Sequence, residues 1–93
     1  MKKSDLKTGM IITMNNGKEY MVYKDVDTDW ATGDILFACD GSHDWISLDN
    51  YNPDMITHNI DWDIVKVTKI SHPFGIFQEN YPDVTREIIF ERR

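Results

Sequence analysis

The sequence contains a few short groupings of residues whose types serve in metal binding or catalysis. The segment DVDTD at residues 25–29 has the alternating carboxylates that open an EF-hand calcium loop. Such a loop also requires Gly at its sixth position and Glu at its twelfth, where this chain has Trp30 and Leu36. We therefore expect no calcium site in this segment.

The remaining groupings give no better support for an enzyme. Asp61 and Asp63 lie two apart in a predicted strand, so both carboxylates should point to one face, where a pair can do acid–base work. Keeping the start of that strand in solvent is the simpler role. Adjacent Ser42, His43 and Asp44 cannot form a hydrolase triad, whose members converge from distant parts of a fold. Neither the three His nor the lone Cys shows metal-ligand spacing. We expect no catalytic residue, metal or cofactor.

Aromatic residues outside the strand interiors are the best candidates for binding contacts. Trp30 lies in a predicted loop, Trp45 begins a strand, Tyr51 follows that strand, and Phe74 lies in a long loop at residues 72–83. Such rings can stack on a flat ligand or anchor a partner protein. They can equally close the ends of a small β-fold.

Short strands must position these residues. The chain has 11 Ile and 5 Val but only 3 Leu and 2 Ala, a bias typical of strands, and no helical apolar period is sustained. Strands are predicted at residues 10–14, 18–24, 35–39, 44–48, 61–70 and 85–91. The last strand should turn Ile88 and Phe90 to one face. In 93 residues this predicts a single all-β domain, residues 1–93, with five to six antiparallel strands.

The first two strands flank an Asn-Asn-Gly sequence, which is a strong hairpin signal. A two-residue Asn16-Gly17 turn would place Ile12 opposite Met21. A three-residue loop ending in Gly17 would place Ile12 opposite Tyr20, and it would put Gly where a left-handed conformation is needed. The second register is preferred.

Charge is distributed very unevenly along the chain. The net charge is −6, yet residues 25–63 contain ten Asp and neither Lys nor Arg. Asp is common in solvated turns, which is one interpretation of this segment. A negative surface that binds a basic partner or imitates nucleic acid is another. Nucleic acid is not an expected partner, because phosphates would meet no counter-charge there.

Several segments of the sequence resemble segments of known protein groups. The entry LKTGM at residues 6–10, followed by a strand and the Asn-Gly hairpin, resembles the entry of SH3-like barrels. With LDNYN at 48–52, DIVKV at 63–67 and IIFER at 88–92, the chain resembles small proteins of phages and prophages of Gram-positive bacteria. The resemblance implies a small SH3-like barrel or roll, and many such phage proteins counter host immunity.

The expected function is thus that of a non-enzymatic phage or prophage binding protein that acts on host defence. It could sequester a nucleotide immune signal, with Lys24, Lys66 or Arg86 holding phosphate beside the aromatic rings and a homo-oligomer completing the site. It could instead block an immune protein through an acidic partner face. That predicted face comprises Asp25, Asp27, Asp29, Asp61 and Asp63.

The alternative is a phage structural or regulatory module that binds nucleic acid or another phage protein. No signal peptide is apparent, since charged residues follow Met1, and no run of about 18 apolar residues could cross a membrane. The single Cys excludes a disulfide framework. We therefore expect a protein of the bacterial host cytoplasm with no membrane partner.

Overall fold

One antiparallel sheet dominates the computed structural model, which describes residues 1–71 and 85–92. Its six strands are β1 (Ile11–Met14), β2 (Glu19–Asp27), β3 (Thr32–Ala38), β4 (Trp45–Ser47), β5 (Ile64–Ser71) and β6 (Thr85–Glu91). Their order across the sheet is β4-β3-β2-β1-β5-β6. Within the described ranges, the helical segments are three short 3₁₀ turns, Lys3–Asp5, Leu48–Asn50 and Ile60–Trp62.

The predicted all-β class with five to six antiparallel strands is confirmed. Strands β4 and β6 are the two ends of the strand order, and the sheet is not closed into a barrel. The open sheet fits the roll rather than the closed SH3-like barrel. In the described part of the chain, no helix is long and apolar enough to span a membrane.

The β1–β2 hairpin has the preferred register. Ile12 pairs with Tyr20, so the two-residue turn is wrong. Gly17 has φ +88° and donates its backbone N–H to the Met14 carbonyl over 2.8 Å, closing a three-residue loop. The Asn16 side chain accepts the Lys18 N–H at 2.9 Å, which adds a local bond that favours this turn.

The main core lies on one face of the sheet, here called the core face. Alternate strand residues, such as Ile12, Val22 and Leu36, point into it and are fully buried. Residues outside the strands cover this face from above. The covering side chains that are almost completely buried are Leu6, Leu48, Tyr51 and Met55.

Two predictions about strand faces are wrong for local reasons. Asp61 lies in a 3₁₀ turn rather than in β5, because the Asn59 side chain caps that turn by accepting the Asp61 N–H at 3.0 Å. In β6, Val67 pairs with Phe90 but Thr68 pairs with Ile88, so a β-bulge interrupts the alternation. Phe90 packs against the core whereas Ile88 is 54% exposed.

The Gly17 conformation gives a direct test of the hairpin. A Cβ at Gly17 would meet nothing within 4 Å, so the cost of a side chain there is conformational rather than steric. Gly17→Ala should lower the free energy of unfolding by about 1–2 kcal/mol, and Gly17→Asn by less, because Asn tolerates the left-handed region. Urea unfolding of the three proteins measures this. Equal stability of all three would show that the loop does not hold Gly17 in this conformation.

Candidate binding site

Four aromatic side chains meet on the face of the sheet opposite the core, here called the outer face. These are Tyr23 on β2, Trp30 in the β2–β3 turn, Phe37 on β3 and Trp45 on β4, and together they are called the aromatic cluster. Their ring centroids lie 5.9–6.3 Å apart in edge-to-face contacts, the arrangement that aromatic pairs favour.

Strand register places three of these rings side by side. Phe37 pairs with Trp45 on one neighbouring strand, and Tyr23 pairs with Ile35 on the other. Paired residues share a face, so Tyr23, Ile35, Phe37 and Trp45 all lie on the outer face. Ile35 is 1% exposed beneath this layer of rings.

The fourth ring reaches the outer face from a tight turn. Thr28 closes the β2–β3 connection: its hydroxyl donates to the Ala31 carbonyl over 2.8 Å and accepts the Ala31 N–H at 3.0 Å. Trp30, between them in sequence, contacts both Phe37 and Trp45. The turn therefore folds Trp30 back over the sheet.

A β-bulge in β2 sets the position of this hairpin. The register shifts between Tyr23 and Val26, and Asp25 within the bulge has φ +56°. Asp34 on β3 holds the bulge, because its carboxylate accepts the Asp25 N–H at 3.0 Å and pairs with the Lys24 ammonium at 3.2 Å. The Asp25 N–H, followed by Lys24, lowers the pKa of Asp34.

The cluster borders a small apolar cavity. The cavity has a volume of about 230 Å³ and is lined by Tyr23, Val26, Trp30, Ile35 and Phe37. It contains no charged lining residue, so it is suited to an apolar side chain or the aliphatic part of a longer one.

Among the predicted aromatic residues, the structure brings together Trp30 and Trp45, which are 54% and 40% exposed. Tyr51 does not join them and is a correction to the prediction: it is 2% exposed in the main core, where its hydroxyl donates to the Trp62 carbonyl over 2.6 Å. Phe74 lies outside the described residues.

The predicted phosphate-binding cations are not gathered beside the rings. Lys24 is engaged with Asp34. Lys66 lies on β5, four strands from Trp45 on β4, which is about 19 Å across a sheet with strands about 4.8 Å apart. Arg86 lies one strand further away, on β6. One chain therefore does not combine the rings and these cations in a single nucleotide pocket.

The predicted acidic face is likewise divided. Asp25, Asp27 and Asp29 lie at the β2–β3 end of the sheet. Asp61 and Asp63 lie at the other end, where their carbonyls accept N–H groups of the β1–β2 turn. About 20 Å of β2, at about 3.3 Å per residue, separates the two groups. In the described ranges, no group of three or more His, Cys, Asp or Glu residues is placed to hold a metal ion.

Sequence reasoning missed Tyr23, Ile35 and Phe37 as parts of the site. Alternation along a strand indicated which residues of that strand share a face, as it does for Ile35 and Phe37. The rings that meet are set by which strands are neighbours in the sheet. Local sequence patterns do not predict that order.

No family model, curated protein or solved structure matches this chain in the comparisons with known proteins. The candidate site is therefore defined by its geometry alone.

The buried Tyr51 hydroxyl gives one test of its structural role. Tyr51→Phe leaves the Trp62 carbonyl without its donor and should lower the free energy of unfolding by about 1–2 kcal/mol. Burial, and secondarily Asp63, raises the pKa of Tyr51 above its ordinary 10.0. The neutral phenol thus stabilises the fold at neutral pH, and this contribution is lost as the pH rises above 10.0. Urea unfolding from pH 7 upward should show wild-type stability approaching that of Tyr51→Phe; a constant difference would contradict this role.

The bulge that supports Trp30 gives a second test. Asp34→Ala removes the acceptor for Asp25 and should lower the free energy of unfolding by about 1 kcal/mol. The difference in unfolding free energy between the variant and wild type should shrink as the pH falls below 3.8. The lowered pKa of Asp34 means that this side chain stabilises the fold as a carboxylate, so its protonation removes the contribution. Asp54→Ala is the matched control, since its ion pair with Lys2 is about 60% exposed and should contribute little. Equal losses in both variants would exclude a special role for Asp34.

Proposed function

We propose that this chain is a non-enzymatic binding protein that contacts another protein through the aromatic cluster. The observation that carries the proposal is the exposure of Tyr23, Trp30 and Trp45, at 39%, 54% and 40%, on one continuous patch. Trp and Tyr are among the residues most enriched at the energetically important centres of protein interfaces.

The same geometry favours a protein over a nucleotide as the ligand. Pockets for drug-sized ligands measure about 300–1,000 Å³. The cavity beside the rings measures about 230 Å³ and has no cation in its lining. A single anchoring side chain of a partner fits this volume, whereas a nucleotide would lack a partner for its phosphate.

The sequence resemblance supplies the biological setting of the proposal. Small phage and prophage proteins often block an immune protein of their bacterial host, so the proposed target is a host-defence protein in the host cytoplasm. Another phage protein is the alternative target, and it would use the same exposed rings.

Affinity capture from lysate of a Gram-positive host tests this proposal when it is followed by reconstitution with the purified captured protein. Trp30→Ala combined with Trp45→Ala should weaken the reconstituted complex by at least about tenfold, because central aromatic anchors carry most of the binding energy. Ile60→Ala is the matched control: Ile60 is 70% exposed, in a 3₁₀ turn outside the cluster, and its removal should leave affinity unchanged.

A complex that is equally stable with and without the two Trp side chains would overturn the proposal. Native mass spectrometry with cyclic and ADP-ribose-derived nucleotides tests the nucleotide version. A mass shift at fixed stoichiometry that survives the double Trp substitution would assign the function to another part of the chain.

A further inference from the structure

Resting on the proposed function, we infer that the partner of the aromatic cluster is a basic protein segment that places an arginine side chain against Trp30 and Trp45. Three of the four rings lie within residues 25–63, the segment with ten Asp and no Lys or Arg.

Exposed carboxylates lie in the hairpin that carries Trp30. Asp44 precedes Trp45 in sequence but lies on the core-face side, because its carbonyl accepts the N–H of the core residue Ala38. Asp27 and Asp29, by contrast, lie with Trp30 at the β2–β3 end of the sheet, and both are exposed. Neither takes part in an ion pair within residues 1–71 and 85–92. A cation that reached the Trp30 ring would therefore lie at the end of the hairpin that carries two unpaired negative charges.

The ring types and the cavity favour arginine as that cation. Trp is the strongest cation–π acceptor among the side chains, and Arg stacks on such rings more readily than Lys because its guanidinium is planar and weakly hydrated. The methylene stem of an Arg could occupy the apolar cavity beside Trp30 while the guanidinium lies toward the acidic rim that Asp27 and Asp29 form at the end of this hairpin.

Other occupants suit this surface less well. A second copy of the chain would bring an acidic segment against an identical acidic segment, which like-charge repulsion opposes. A nucleic acid would bring phosphates to the same carboxylates. A basic peptide segment is the occupant whose charge complements the rim and whose side chains use the rings.

Peptide titration followed by NMR tests the inference on the full chain. The probe is a short glycine-spaced arginine peptide, compared with matched lysine, citrulline and glutamate peptides. The chain has three Trp indole N–H signals, which Trp→Phe substitutions assign. The arginine peptide should shift the signals of Trp30 and Trp45 and leave that of Trp62 unchanged, because Trp62 is packed against the main core.

The affinity of each peptide should depend on both the charge and the planarity of its side-chain group. We expect the citrulline peptide, which is planar but neutral, to bind about tenfold more weakly than the arginine peptide, with lysine between them and glutamate not binding. Asp27→Asn with Asp29→Asn should weaken arginine binding about threefold at low salt, and the difference should vanish at about 1 M salt. Asp61→Asn with Asp63→Asn is the charge-matched control at the far end of the sheet and should have no effect.

Three results would overturn the inference: no indole shift with the arginine peptide up to about 1 mM, equal binding of arginine and citrulline peptides, or equal effects of the two Asp pairs. These failures are distinguishable from failure of the proposed function. A captured protein whose binding still requires Trp30 and Trp45 would retain the cluster as the binding surface and reject only the basic character of the partner.

Discussion

A sheet of six strands has two faces, and the apolar side chains on both faces must be shielded from water. In the described part of this protein, the covering side chains Leu6, Leu48, Tyr51 and Met55 all pack on the core face. Burial of apolar area at about 25 cal/mol per Å² is the main favourable term in folding, so this face supplies most of the stability. The apolar side chains of the outer face must therefore be covered by other residues.

The outer face meets the constraint with aromatic side chains that belong to the sheet and its own turn. Edge-to-face contacts among Tyr23, Trp30, Phe37 and Trp45 bury Ile35 almost completely. The outer sides of these rings remain in contact with solvent. One layer of rings therefore stabilises the sheet and also forms an exposed apolar patch, the kind of surface that marks interaction sites. The exposed Asp27 and Asp29 at the same end of the sheet are the reason we infer a basic partner.

Local sequence signals predicted the parts of this fold that local chemistry controls. The Asn-Asn-Gly sequence predicted the hairpin register, and the bounds of the last strand agree with residues 85–91. Alternation did not reveal the bulge in β6, because one extra residue changes the face without changing composition. Tyr51 and the grouping of the rings depend on contacts between elements distant in sequence. Spacing along the chain does not encode those contacts, so Trp30 and Trp45 were recognised as candidates but their neighbours were not.

Hydroxyl-radical footprinting of the full chain, free and bound to its reconstituted partner, tests the central claim most directly. The account predicts that Trp30 and Trp45 oxidise faster than Trp62 in the free protein. It also predicts that the partner protects Trp30 and Trp45 while leaving the exposed Ile60 reactive. Slow oxidation of Trp30 and Trp45 in the free chain, or protection at Ile60 in their place, would contradict the account.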